Sequence, residues 1–339
     1  MANDPNSMIT SAKVPITKAI LLVGGKGTRL APLTDSTPKP MLKVAGKPVT
    51  EHQVVKAREA GITHLVLATS YLAEVFQPYF GDGSRFGLSI TYAIEEVPLG
   101  TGGAIANAAA HLDLAPNESV VIFNGDVLSG HDLKAQISLH QERNADVTLY
   151  LTRVEDPRAY GCVPLDSQGR VLEFLEKMEN PIADTINAGC YIFKESALAM
   201  IPRNTVVSVE REIFPALLDE DFEVFGYNDG KYWIDMGTPQ SFIKASRDLI
   251  LHPAISSATE LTGDGFVAAP GSEIDPSASI GQGTSISHGA RIEARSRIMG
   301  SIIGENVHVG EGAEIIDSYV APKLTIPAGT KIVGQIFSR

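Results

Sequence analysis

Apolar residues over the first two-thirds of the chain follow two spacings in turn. Short runs at residues 19–23, 64–69, 88–94, 120–123 and 145–154 have the length and β-branched content of strands. Between them, residues 49–60, 71–80 and 104–112 carry helical spacing. Gly61 stands at the end of the first helix, and Gly81-Asp82-Gly83 closes the second. Strands alternating with helices predict an α/β fold with a mostly parallel sheet and ligands at the carboxyl ends of its strands. Residues 206–218 place Ile213, Phe214, Leu217 and Leu218 at helical spacing, so Glu210 and Arg211 are expected to start a packing helix far from any site. Residues 241–251 read as a last helix, ended by His252-Pro253.

Beyond a linker of small residues at 253–265 the period changes. Isoleucines recur every six positions at Ile274, Ile280, Ile286, Ile292 and Ile298. The count slips by one to Ile303, Val309 and Ile315, and again to Val320, Ile326 and Ile332. Such a repeat predicts a parallel β-helix, here of about eleven short sides. A solenoid leaves an end that does not bury its own rung, so a homo-oligomer joined through this tail is expected. The expected division is therefore 1–252, 253–265 and 266–339.

Composition narrows the classes. The 339 residues carry a net charge of −12, which argues against a general nucleic-acid or anionic-membrane surface. Phosphates must be met by local cations. The N-terminal residues 1–11 are polar, and no apolar run approaches a membrane span. Two cysteines, Cys162 and Cys190, are too few for a disulfide framework and fit packed strand positions in a reducing, cytoplasmic setting.

The stretch after the first strand carries the chemistry. Gly24, Gly25 and Gly27 let backbone N–H groups approach an anion, while Arg29 and Lys39, the latter between Pro38 and Pro40, supply fixed cations. The frame is not a Walker A loop, for no GK[ST] closes it. Nor is it the dinucleotide fingerprint, whose third glycine is replaced by Arg29. The whole phrase from Gly24 to Pro40, G-G-x-G-T-R-L-x-P-L-T…P-K-P, resembles the signature of the sugar-nucleotide pyrophosphorylases, nucleotidyltransferases that join a nucleoside triphosphate to a sugar 1-phosphate.

Further phrases extend the resemblance across about residues 18–250, and the tail resembles the left-handed β-helix of some members. Fold, activity and roles follow as implications. The catalytic unit is expected to be a Rossmann-like nucleotidyltransferase domain, with Gly24, Gly25, Gly27 and Thr28 at the nucleotide. Glu95-Glu96-Val97-Pro98-Leu99-Gly100-Thr101 resembles the family's base-recognition loop, with backbone glycine against the base. Members using uracil or thymine commonly carry glutamine at the strand end. A carboxylate there, at Glu95 or Glu96, suits the N–H donors of guanine, so GTP is expected. Asp126 and Asp235 match the family's G-D and W-x-D-x-G-T-P blocks and imply a Mg²⁺ pair.

Gly161, Glu176, Asn187 and Gly189 match blocks that hold the sugar, and Lys177 the group that holds its phosphate; Met178 stands where the family usually has proline. Arg29, Lys39, Asp126 and Lys177 are the expected catalytic set. Mannose 1-phosphate is the expected acceptor, although neither Glu176 nor Asn187 names one hexose. Glucose 1-phosphate with UTP or dTTP is the alternative within enzymes. A non-catalytic regulatory paralogue is a second alternative. An acyltransferase reading of the tail lacks an acyl-CoA motif.

Overall fold

A computed structural model describes residues 14–25, 27–35, 37–70, 72–259 and 263–338. The polar segment 1–11, the start of the helix expected at Tyr71 and the middle of the linker at 260–262 lie outside the described residues.

The strand Lys18–Leu22 pairs in parallel with His64–Thr69 on one side and Ser119–Asn124 on the other. Ser89–Ile94 extends the parallel run beyond His64–Thr69. Helices Val49–Glu59, Gly100–Ala109 and Leu133–Glu142 follow successive strands. From Ser119–Asn124 outward the pairing turns antiparallel: Thr185–Lys194 runs against it, against Val147–Arg153 and against the start of a hairpin, Gly161–Cys162 with Leu175–Glu176. The sheet is thus mixed, parallel in the half that carries the glycine loop and antiparallel in the other except for Val224–Tyr227, which pairs in parallel with Val147–Arg153. Apolar clusters cover both faces, one around Ile20, Ile122 and Tyr191 and the other around Leu21, Leu67 and Phe123. Cys162 and Cys190 are unpaired and buried, and burial pushes the Cys190 thiol up to about 12.

The helix expected over 71–80 is a 3₁₀ turn Ala73–Val75 running into a short helix Phe76–Phe80, and two elements at the cavity differ from expectation as well. The alanine-rich helix begins at Gly100 rather than 104, so the glycine run is its first turn. The extended segment 205–209 lies against that turn: a Cβ on Gly100 would meet Val207 O at 2.7 Å, and one on Gly103 would meet Thr205 O at 2.5 Å. Only glycine fits there. The same segment corrects the expectation for residues 206–218. Instead of one amphipathic helix on the far side, the chain forms this strap, a π-helical turn Val209–Ile213 and then a short helix Phe214–Asp219.

The tail forms three stacked parallel sheets, consistent with a left-handed β-helix. Ile274, Ile292, Val309 and Ile326 stack in one ladder, and Ile280, Ile298, Ile315 and Ile332 in the next. Ile286, Ile303 and Val320 form the third, which Ala268 and Phe337 complete at its two ends. The slip in the six-residue count falls between the second and third ladders, where later coils turn through one residue fewer. Helix Pro239–Leu251 joins tail to sheet: Phe242, Ile243 and Leu249 share one apolar cluster with Leu30 and Leu33 of the glycine loop and with Ile302 and Tyr319 of the tail.

Candidate active site

The loop leaves its strand with Val23 N–H donating to Ala68 O at 2.9 Å. Ser70 Oγ then donates to Gly24 O at 2.6 Å, in the place a Cβ on Gly24 would need. Gly27 adopts φ 61°, and a Cβ there would lie 2.9 Å from that of Lys39; the glycine lets the loop close on the lysine. A 3₁₀ turn Thr28–Leu30 buries Leu30 completely and turns Arg29 the other way. The Arg29 guanidinium rests on Gly237, where a Cβ would stand 3.1 Å from its atoms.

Lys39 is nearly buried, its side chain 8% exposed, with Nζ 3.1 Å from Asp126 Oδ2 and 3.6 Å from Asp235 Oδ1. The first is a hydrogen bond; the second is an ion-pair distance beyond hydrogen-bond reach. The carboxylates are brought together by backbone. Gly125 N–H donates to Leu22 O, and a Cβ on Gly125 would lie 2.2 Å from that oxygen. Strand Trp233–Asp235 pairs antiparallel with Val127–Ser129, and Met236 N–H donates to Asp126 O at 3.1 Å. Burial, with the Asp126 charge, raises the Asp235 carboxyl above its usual range, while Lys39 and Arg29 pull it back.

Asp235 Oδ1 is buried without a hydrogen-bond partner. Lys39 hydrogen-bonds Asp126 but not Asp235, so the two carboxylates retain acceptor oxygens that no protein donor serves. That donor set fits a hard divalent cation, which binds through one or two carboxylates and takes its other ligands from water and phosphate. Among the described residues no group of three or more His, Cys, Asp or Glu side chains could hold a metal by itself.

A cavity of about 540 Å³ opens beside these groups. Its walls include Gly24, Gly25, Gly27, Thr28, Arg29 and Lys39 of the loop, Glu95, Gly100 and Thr101 of the expected base loop, and Asp126. Glu96 is exposed and outside the wall, so Glu95 is the carboxylate that faces the cavity. Burial raises the Glu95 carboxyl, with the Leu99 N–H opposing. Thr101 is engaged within the protein: Oγ1 donates to Glu210 Oε2 at 2.6 Å and accepts from Val209 N–H at 3.0 Å.

The expected sugar residues line the antiparallel half beside the cavity rather than its wall. Glu176 pairs with Gly161 across the hairpin, and a Cβ on Gly161 would stand 2.8 Å from Glu176 Oε2. Lys177, at φ 52°, turns its half-exposed side chain to within 3.6 Å of Glu176. Asn187 donates through Nδ2 to Tyr191 Oη at 2.8 Å, and its Oδ1 accepts from Gly189 N–H at 3.1 Å. Tyr191 Oη also accepts from Asn124 Nδ2 at 3.1 Å, and complete burial pushes this phenol well above its ordinary value. Trp233 Nε1 donates to Ala188 O at 3.0 Å, and Tyr160 meets Trp233 edge-on at 5.5 Å.

The family model described as nucleotidyl transferase matches residues 18–251. The chain belongs to that family. It is 49% identical over 298 residues to a mannose-1-phosphate guanylyltransferase of Mycobacterium tuberculosis, covering 88% of this chain and 82% of the relative. It is 34% identical over 291 residues to a mannose-1-phosphate guanylyltransferase catalytic subunit beta of Drosophila pseudoobscura pseudoobscura, covering 84% and 75%. Among solved structures, HddC from Yersinia pseudotuberculosis complexed with GMP-PN superposes with a TM-score of 0.58 at 27% identity, over 69% of this chain and 99% of that one.

Several walls of this nucleotidyltransferase's cavity escaped sequence reasoning. Ser70, Asn124 and Glu210 line it without having been singled out as site residues, and Gly237 was visible only as a letter of the block around Asp235. Glu210 is the correction of most consequence, since helical spacing had assigned it to packing.

Proposed function

We propose that this nucleotidyltransferase transfers a guanylyl group from GTP to mannose 1-phosphate, giving GDP-mannose and pyrophosphate. The observation that carries the reading is the 49% identity, over most of both chains, to a relative named for that reaction. Glu95 supports the choice of base, because an ionised carboxylate accepts from both N–H groups on the guanine edge.

A sugar 1-phosphate has its second pKa at about 6 and is mostly dianionic at neutral pH, so no general base is required. An oxygen of that dianion forms the new bond to the α-phosphorus, and the bond to the bridging oxygen of the β-phosphate breaks, releasing pyrophosphate. The protein's work is to align two anions and stabilise the charge that leaves. Gly24, Gly25, Gly27 and Thr28 cradle the triphosphate, and Arg29 meets its β- and γ-phosphates with a planar fork. Lys39 faces the α-phosphate. Lys177 orients the attacking phosphate, while Gly161, Glu176, Asn187 and Gly189 hold the hexose. Asp126 and Asp235 are the residues that would hold Mg²⁺, which when bound supplies charge neutralisation at the phosphates.

The same reading divides the chain into a catalytic unit at 1–252, a connection at 253–265 and a β-helix at 266–339 that joins copies of the chain. Among the described residues no helix is long and apolar enough to cross a membrane. The unpaired, buried cysteines support a reducing, cytoplasmic setting.

The test is pyrophosphate release from mannose 1-phosphate and glucose 1-phosphate, each offered with GTP, UTP, dTTP, ATP and CTP in Mg²⁺. Turnover chiefly with GTP and mannose 1-phosphate is expected. Preference for UTP or dTTP would overturn the base assignment. Tight sugar-nucleotide binding without turnover would move the protein to a regulatory class.

A further inference from the structure

Glu210 presents an anion to a cavity that must admit a polyanion. Its Oε2 accepts two hydrogen bonds, from Thr101 Oγ1 at 2.6 Å and from Ser208 Oγ at 2.9 Å. Its Oε1 has no hydrogen-bond partner among the described residues, and it is not among the buried atoms left unsatisfied. The carboxylate therefore has one anchored oxygen and one without a protein partner, on a residue that lines the cavity.

Its place in the fold is defined from both sides. Toward the base loop, the strap 205–209 is bound by Val207 N–H to Leu99 O at 3.0 Å and by Gly102 N–H to Val207 O at 2.9 Å. Toward the sugar side, the Glu210 charge is felt by Tyr191, whose hydroxyl receives the amides of Asn124 and Asn187. Glu210 thus stands between the helix start that faces the nucleotide and the cluster of Asn124, Tyr191 and Asn187, of which Asn187 is the residue assigned to the sugar. A clasp alone needs only an acceptor, and a neutral amide oxygen would serve Thr101 and Ser208 as well. The second acceptor oxygen repels phosphate, and with the guanine N–H groups assigned to Glu95, hydroxyl groups are the donors that both substrates have left for a carboxylate.

Resting on the guanylyltransferase reading above, we propose that Glu210 is a substrate-positioning residue whose Oε1 accepts a hydrogen bond from a substrate hydroxyl, on the hexose or on the ribose. The π-helical turn Val209–Ile213 is the device that places it, following the strap and carrying the side chain back toward Thr101.

The experiment compares the wild-type protein with Glu210→Gln and Glu210→Ala, in steady-state kinetics with the preferred nucleotide and sugar phosphate found for the wild type. Glu210→Gln keeps an acceptor for Thr101 and Ser208 but replaces the open acceptor with a donor. The expected result is a rise of about 10- to 100-fold in one KM, the size of a lost charge-assisted hydrogen bond, with an unchanged melting temperature. A rise confined to mannose 1-phosphate assigns the hexose, and one confined to GTP assigns the ribose. The assignment is checked with 2-deoxymannose 1-phosphate, or with 2′-deoxy-GTP and 3′-deoxy-GTP: an analogue lacking the bound hydroxyl penalises the wild type but not Glu210→Gln. Both KM values within twofold of wild type for Glu210→Gln, with loss of stability only in Glu210→Ala, would overturn the proposal and leave Glu210 as a clasp. A different preferred substrate pair would overturn the guanylyltransferase reading alone, because the Glu210 comparison is made on whichever pair turns over.

Discussion

The glycine loop and the β-helix tail both rest on buried aliphatic anchors and on glycines at turns, yet they hold their side chains by opposite means. In the tail, isoleucine follows isoleucine at one register, and each coil repeats the contacts of its neighbour. In the loop and the strand ends that face it, no contact repeats. Lys39 serves two carboxylates, Arg29 lies on one glycine, and Asp235 keeps a buried oxygen unpaired. Regularity gives the tail stability that is shared among rungs. Irregularity gives the loop charged groups held in unfavourable surroundings, the state in which electrostatics act most strongly on a bound phosphate.

The largest separation between the two regions is expected for turnover. Arg29→Ala should lower kcat by about 10³-fold, the scale of losing a preorganised charge at a developing anion, with only modest loss of mannose 1-phosphate binding. Single-turnover kinetics with separate KM measurements would show this. A near-normal kcat would remove Arg29 from the leaving-group role. In the tail the opposite profile is expected. Ile298 is fully buried between Ile280 and Ile315, so Ile298→Ala should lose about 2–4 kcal/mol of stability while leaving kcat unchanged. Denaturant unfolding and hydrogen exchange over the tail would test it, and a fall in kcat matching that of Arg29→Ala would erase the contrast.

The same contrast explains what was legible beforehand. The inward positions of the tail stand out because a six-residue period survives even one-residue slips, which the structure traces to a shorter turn between two ladders. The loop's glycines and cations stand out as a phrase. The meeting of Asp126 with Asp235 rests on resemblance alone, for no local spacing connects residues so far apart; a short antiparallel ribbon brings them together. Glu210 was misplaced for a related reason. Its partner Thr101 is over a hundred residues earlier, and apolar spacing at Ile213, Phe214, Leu217 and Leu218 does not distinguish an α-helix from a π-turn running into one. Gly100 and Gly103 were legible as glycines but not as the bed of a strap.

A smaller effect, of opposite sign, is expected from removing the strained charge. Because the folded Asp235 carboxyl is raised above the usual 3.8, the native state binds more protons than the unfolded state between that value and the raised one. Stability contributed by the protonated form is therefore lost as pH rises through this window. Metal-free Asp235→Asn should melt about 2 °C higher than wild type at neutral pH, with the difference vanishing below the ordinary carboxylate range. Activity should carry an acid limb above that range, as protonation of Asp235 takes away one of the two carboxylates proposed to hold Mg²⁺. Equal melting temperatures across pH would show that Lys39 already offsets the burial of this carboxylate.

The smallest expected effect lies where the two regions meet. Arg247 of the helix Pro239–Leu251 pairs with Asp317 of the tail at 2.9 Å, and Lys43 pairs with Glu305 at 2.6 Å. These ion pairs are conspicuous, but Asp317 and Glu305 are about half exposed and water screens them. The apolar layer beneath is continuous from Leu30 through Phe242 to Tyr319, whose rings stand 6.0 Å apart. If that layer couples the tail to the loop, Asp317→Ala should change stability by no more than about 0.5 kcal/mol, while Tyr319→Ala should lose several times as much and raise the KM for GTP by loosening the seat of Leu30. Equilibrium unfolding and nucleotide titration on the two variants, at low and at high salt, decide the matter. A salt-sensitive loss in Asp317→Ala larger than that in Tyr319→Ala would mean that charge, not packing, holds the tail against the site.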